Sequence, residues 1–157
     1  MPGLSITIKC VPFYELTLEE LYTILALRQE VFIVEQNCPF LDADGKDQLA
    51  LHLMITDEAG SLLAYTRLFE KSVYYDGYTS IGRVVTSPKA RGTGVGKLLM
   101  EESIAKVLGS FEIAPIKIGA QKYLEKFYQS LGFRLTGNDY MEDGIPHTYM
   151  IFDKHLS

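Results

Sequence analysis

The chain has 157 residues, 47% hydrophobic and 22% charged, with a formal net charge of −5. That is an ordinary soluble, globular composition, and the length suits one domain over residues 1–157 with a substantial core. The acidic balance argues against a nucleic-acid or anionic-membrane partner and is compatible with a basic or amine substrate. No apolar run approaches the ~20 residues of a membrane span.

Cys10 and Cys38 form neither a disulfide framework nor a metal-ligand spacing, which points to a reducing compartment and to no metal. The N-terminus has no charged n-region or apolar h-region, so the expected location is cytoplasmic.

Ser5 to Cys10 alternates through Ile6 and Ile8 and predicts a first strand. Thr17, with Glu20 three residues on, makes a capping box ahead of a helix. Its apolar stripe runs through Leu18, Leu21 and Leu25 toward Phe32. Arg28, Phe32 and Glu35 share a face if the helix continues that far; two helices with a bend fit the same pattern. Asn37 to Gln48 is a loop of turn formers. Its segment Asp42 to Asp47, D-A-D-G-K-D, has part of a calcium-loop pattern, but Asp47 follows Gly45 and the twelfth position holds Leu53. The readings left are a solvated acidic turn and an acidic lip facing substrate.

Leu51 to Thr56 and Leu62 to Phe69 predict two strands joined by the hairpin turn Glu58-Ala59-Gly60-Ser61. A tyrosine-rich loop, Tyr74 to Tyr78, leads to a strand over Thr79 to Thr86, ended by Ser87-Pro88. Leu98, Leu99, Ile104, Val107 and Leu108 then recur at helical spacing. Pro115 to Gly119 is a short strand, and Gln121 to Leu131 a helix closed by Gly132. Arg134 to Leu135 and His147 to Asp153 are final strands, separated by the turn N-D-Y-M-E-D-G-I-P.

The stretch that carries chemistry is Ile81 to Met100. A strand, the turn Arg91-Gly92-Thr93-Gly94-Val95-Gly96 and a helix start follow one another without a break. Free amides of a first helical turn, the helix dipole and glycines that admit a ligand to the backbone together make an anion site. Arg91 adds a cation, so a pyrophosphate is the natural guest. A Walker A loop would need glycine at Arg91 and Ser or Thr at Leu98; a dinucleotide fingerprint would need glycine at Lys97. Both are excluded.

The pattern that fits is R/Q-x-x-G-x-G/A after a strand and a proline, which resembles the acetyl-CoA loop of the GNAT superfamily of N-acetyltransferases. Residues 121 to 133, Q-K-Y-L-E-K-F-Y-Q-S-L-G-F, are similar to the second signature of that family, with Gln121 and Leu124 where asparagine and alanine are usual. With L-R-Q-E-V-F-I-V-E-Q-N-C-P-F and E-D-G-I-P-H, the resemblance narrows to the ElaA-like branch.

The resemblance implies an α/β (α+β) fold: a mixed, mostly antiparallel, splayed sheet with helices on both faces. It implies acetyl-CoA held by Val84, Val85, Thr86, Arg91, Gly92, Thr93, Gly94, Val95, Gly96 and Gln121. The Val84 N–H would serve the thioester carbonyl, and Tyr128 would be the general acid. The implied activity moves an acetyl group to a primary amine of a small molecule or peptide by direct attack in a ternary complex, by a monomer or homodimer. A lysine-like ammonium, pKa ~10, must first lose a proton. The Thr79–Thr86 strand contains no carboxylate, which leaves Glu35, His52, His147 or a water chain as base. The alternative function is a non-catalytic acyl-CoA-binding or sensing module, which would keep the loop but have no reason to keep Tyr128.

Overall fold

Every residue of the strand Leu62–Phe69 is buried, as happens only where a strand has neighbours on both edges and cover on both faces. In the computed structural model, which describes residues 5–154, this strand is β3 of a seven-stranded sheet of order β1-β2-β3-β4-β5-β7-β6. The others are β1 Ile6–Pro12, β2 Leu51–Asp57, β4 Thr79–Thr86, β5 Ile116–Gln121, β6 Arg134–Glu142 and β7 Ile145–Phe152. All neighbours are antiparallel except β4 and β5.

Side-chain alternation along the strands builds two apolar layers. On one face α1, Leu18–Arg28, sets Ile24 and Leu27 against Met54, Tyr65 and Val85. On the other, α2, Val95–Ser110, and α3, Glu125–Ser130, bring Leu99, Met100, Val107 and Tyr128 against Leu53, Ile55, Ala64 and Leu68. Thr66 of β3 and Ser103 of α2, both buried, bond at 2.7 Å and pin the second layer.

The expected capping box is present: Thr17 Oγ1 accepts from the Glu20 N–H at 3.0 Å, and Glu20 Oε1 accepts from the Thr17 N–H at 2.9 Å. Beyond Arg28 the chain neither stays α-helical nor bends into a second α-helix. It widens into π-helical turns over Gln29–Glu35. The helix expected from Gln121 opens as a 3-10 turn, Lys122–Leu124, and is α-helical only from Glu125. Its end is as expected: Gly132 has φ +105°, and the Phe133 N–H returns to the Tyr128 carbonyl at 3.1 Å.

Two expectations are corrected. The nine-residue turn before the last strand is mostly strand, because β6 runs to Glu142 and only Asp143-Gly144 turn. Both turn residues have positive φ, +51° and +78°, the type I′ geometry that Asp-Gly favours. The Asp42–Asp47 segment is not a solvated turn: Asp42 and Asp47 are buried among arginines.

Candidate active site

The two parallel strands pair only at Thr79–Ile116 and Ser80–Lys117. Past that point β5 follows β7 through all six of its residues, while β4 follows β3, so the sheet parts. A cleft of about 710 Å³ fills the gap, lined by β4 from Ile81 to Thr86 and by Ile118, Gly119 and Gln121 of β5. Within β4 the register to β3 slips: Tyr65 faces Val85 and Arg67 faces Gly82, so the β4 side carries one extra residue. Arg83 sits in the bulge at φ +50°, a conformation that costs a non-glycine residue about 1–2 kcal/mol. Val84, next to it, is paired with neither neighbouring strand and lines the cleft.

At one end of the cleft β4 runs into the glycine turn. Gly92 and Gly94 have φ +77° and +85°, and Gly94 caps α2. The first helical bond is the Leu98 N–H to the Gly94 carbonyl at 3.2 Å, so the amides of Val95, Gly96 and Lys97 have no carbonyl within the helix. The Thr93 hydroxyl bonds to the Ala90 carbonyl and braces the turn. Arg91 lines the cleft, where its Nη2 meets Glu35 Oε1 at 2.7 Å. Gln121, at the end of β5, donates to Gln36 Oε1 at 3.3 Å across the cleft.

Tyr128 of α3 also lines the cleft, 4% exposed, and its ring packs edge-on against Phe127 and Phe133. Its hydroxyl has no hydrogen-bond partner among the described side chains, and burial pushes its pKa well above the ordinary phenol range. It therefore keeps its proton at neutral pH.

A family model for the acetyltransferase (GNAT) domain matches residues 41–154. The chain belongs to the GNAT acetyltransferases. Protein ElaA of Escherichia coli is 39% identical over 137 residues, covering 87% of this chain and 89% of that protein. The crystal structure of ElaA superposes with a TM-score of 0.87 over 95% of this chain and all of that one, at 37% identity. An acyl-CoA N-acyltransferase from Pseudomonas aeruginosa gives 0.88 at 41% identity, over 94% and 99% of the two chains. The GNAT fold here is the mixed, mostly antiparallel, splayed sheet with helices on both faces.

Three base candidates stood out in this GNAT sequence, and the fold separates them. His52 is fully buried and does not line the cleft. Its Nε2 lies 2.8 Å from the Asp47 carbonyl, which can only accept, so Nε2 carries the proton. Nδ1, 2.6 Å from the Tyr65 hydroxyl, accepts from it, leaving neither nitrogen available. Burial also lowers its pKa. Glu35 reaches the cleft but is held by Arg91. His147 lines the cleft with Nδ1 2.7 Å from the Ile145 carbonyl, which fixes the proton there and leaves Nε2 with its lone pair. Nε2 lies 3.6 Å from Glu142 Oε2, and the ring stacks on Tyr140.

Several lining residues were missed by sequence reading. Glu142 lay inside the supposed turn; the Asp-Gly pair after it was the available signal for a tight hairpin. Gly119 looked like a strand end, yet a Cβ there would collide with the Tyr140 hydroxyl. The largest omission is a cluster of buried charge. Arg28 bonds Asp42 and Asp47, each at 2.8 Å; Arg67 bonds Asp44 at 2.7 Å and Asp47 at 2.8 Å; Arg83 bonds Asp42 at 2.8 Å. Burial would raise the Asp44 carboxyl, but the hydrogen bonds and charge of Arg67, with Arg83, more than reverse it and hold it far below the usual range. No sequence spacing marks this set, since its members are brought together only by folding. Among the described residues no group of His, Cys, Asp and Glu is placed to hold a metal ion, and no helix is long and apolar enough to cross a membrane.

Proposed function

We propose that the protein is an acetyl-CoA-dependent N-acetyltransferase that moves the acetyl group to a primary amine of a small molecule or peptide in a ternary complex. The observation that carries this reading is the free, bulged edge of β4: it offers an unpaired Val84 backbone in the same cleft as Tyr128 and the glycine-capped start of α2. Acetyl-CoA, when bound, supplies the activated acyl group. The backbone of Val84, Val85 and Thr86 would pair with its pantetheine arm, and the amides following Gly94, with Arg91, would hold its pyrophosphate. Gln121, at the end of β5 and in the lining of the same cleft, would border the same arm.

The chain's own groups then meet the three needs of aminolysis. The Val84 N–H donates to the carbonyl oxygen as charge develops there. Tyr128, which holds its proton, donates to the departing sulfur. His147 Nε2 takes the proton of the attacking ammonium, directly or through one water, and Glu142 then faces the imidazolium. Glu35 is the second candidate base, once Arg91 turns to phosphate. His52 has no free nitrogen for the role.

Release of free CoA on mixing the protein with acetyl-CoA and a panel of primary amines tests the activity. A protein that binds acetyl-CoA but releases CoA with no amine would be a sensor, not an enzyme. The base is assigned from pH profiles of kcat/KM: His147→Asn should lose about 10²–10⁴ in rate and the rising limb with it. His52→Asn should lower stability and leave the limb in place. Loss of the limb in Glu35→Gln alone would move the role to Glu35.

A further inference from the structure

A second cavity, of about 70 Å³, opens beside the main cleft, walled by Arg67, Tyr75, Tyr140 and Glu142. Gly82 and Arg83 line both spaces, so they adjoin along β4. Arg67 is 1% exposed, and its terminal nitrogens are taken by Asp44 and Asp47. Its Nε–H, however, has no partner among the described residues. A Cβ added to Gly82 would lie 3.8 Å from that nitrogen, so Gly82 borders it where the cavity meets β4. A buried donor left without an acceptor costs about 1–3 kcal/mol, and this one calls for an oxygen.

Resting on the N-acetyltransferase reading, we propose that this cavity is an acceptor subsite for a hydroxyl group, and that the substrate is a hydroxy amine. The walls make the selection. An ammonium has no lone pair for Arg67 Nε–H. A carboxylate would face Glu142, whose only ion-pair partner is His147 at 3.6 Å among the described residues. Of the cations nearby, Arg28, Arg67 and Arg83 are matched by Asp42, Asp44 and Asp47, and the Lys117 ammonium lies against the rings of Tyr75 and Tyr149. A hydroxyl satisfies both walls, accepting from Arg67 Nε–H and donating to Glu142. At ~30 Å³ per water the cavity has room for roughly two waters, or one hydroxymethyl group. Val84 is two residues beyond Gly82, about 6–7 Å along a strand and less through the bulge. The amine and hydroxyl of the substrate are therefore about two to four carbons apart.

The test compares kcat/KM, with acetyl-CoA as donor, for ethanolamine, propanolamine and butanolamine against propylamine, butylamine and pentylamine, their equals in heavy atoms. At least one hydroxy amine should exceed its alkyl counterpart by about tenfold, as one hydrogen bond to a charged group provides. Gly82→Ala, whose Cβ makes an ordinary contact with Arg67 and covers Nε, should cut that preference below about twofold. Equal rates for each pair in the wild type would mean that the cavity holds only water, and would overturn the proposal. The Arg67 Nε–H resonance, observed in protein carrying isotope-labelled arginine, gives a readout that needs no turnover. It should shift on adding the preferred hydroxy amine with CoA present and stay in place with the alkylamine. A shift with both, or with neither, overturns the subsite. If no amine is acetylated, the enzymatic reading falls, while the resonance still decides whether the hydroxyl is bound.

Discussion

Two charged regions adjoin β4, one beyond its end and one at its bulge, and they are built in opposite ways. The glycine loop, Arg91 to Gly96, is one continuous segment, and much of its positive potential comes from backbone amides at a helix start. The arginine–aspartate cluster draws side chains from α1, the 42–47 loop, β3 and β4, and its charges cancel in the interior. The first is poised for a guest, because its donors have no internal partners. The second is satisfied internally except at Arg67 Nε, and its work is mechanical: Asp42 holds Arg83, whose φ of +50° makes the bulge that frees Val84. A site made of backbone needs only the right residues in a row. One made of long side chains needs the chain to cross itself.

The largest expected effect strikes the loop. Gly96→Glu places a carboxylate in the first turn of α2, where its Cβ meets Thr86 Cγ2 at an ordinary 3.7 Å. Acetyl-CoA affinity should fall by about 100-fold or more, with the circular dichroism spectrum and melting temperature nearly unchanged. An unchanged dissociation constant by titration calorimetry would end the anion-site reading. Gly94→Glu should lose stability as well, by about 1–2 kcal/mol, because its φ of +85° suits only glycine.

Tyr128→Phe separates chemistry from both charged regions. It keeps the ring among Phe127 and Phe133 and removes only the hydroxyl. We expect kcat to drop about 10²–10⁴ while acetyl-CoA affinity and urea midpoint hold. An unchanged kcat, measured on the same preparation, would take Tyr128 out of the mechanism.

The cluster should answer to stability instead. Arg28→Met takes one of two arginine partners from each of Asp42 and Asp47, leaves the cluster with a net negative charge, and should cost about 3–5 kcal/mol in urea unfolding. Acetyl-CoA affinity of the folded fraction should change little, since Arg28 is remote from the loop in sequence and fully buried. A loss below about 1 kcal/mol would show that the cluster is not holding the fold together.

The smallest effect is in acid. The Asp44 carboxyl is depressed in the folded chain, so its contribution is fully present above the ordinary value of ~3.9 and is lost as pH falls through the folded value. Asp44→Asn should therefore lower the melting temperature at neutral pH and converge with the wild type toward the acid limit. Parallel curves down to that limit would show that Asp44 carries no such linkage.

What the amino-acid sequence determined alone is whatever is encoded by neighbours. The hairpin of β2 and β3, the capping box at Thr17, the strand before Pro88, the glycine turn and the helix from Val95 all follow from residues within a turn or two of one another. The same locality misled where turn formers lay inside a strand, as in β6, and where seven residues of α-helical pattern were wound as a π-helix. Tertiary structure alone decided which candidates meet. It sealed His52 behind Tyr65 and Asp47, brought His147 and Glu142 to the cleft, and bound Glu35 to Arg91. It also turned three loop aspartates into the partners of three distant arginines. The physical reason is range: propensity, capping and turn geometry act over a few residues, whereas desolvation and ion pairing depend on which segments the sheet order places side by side.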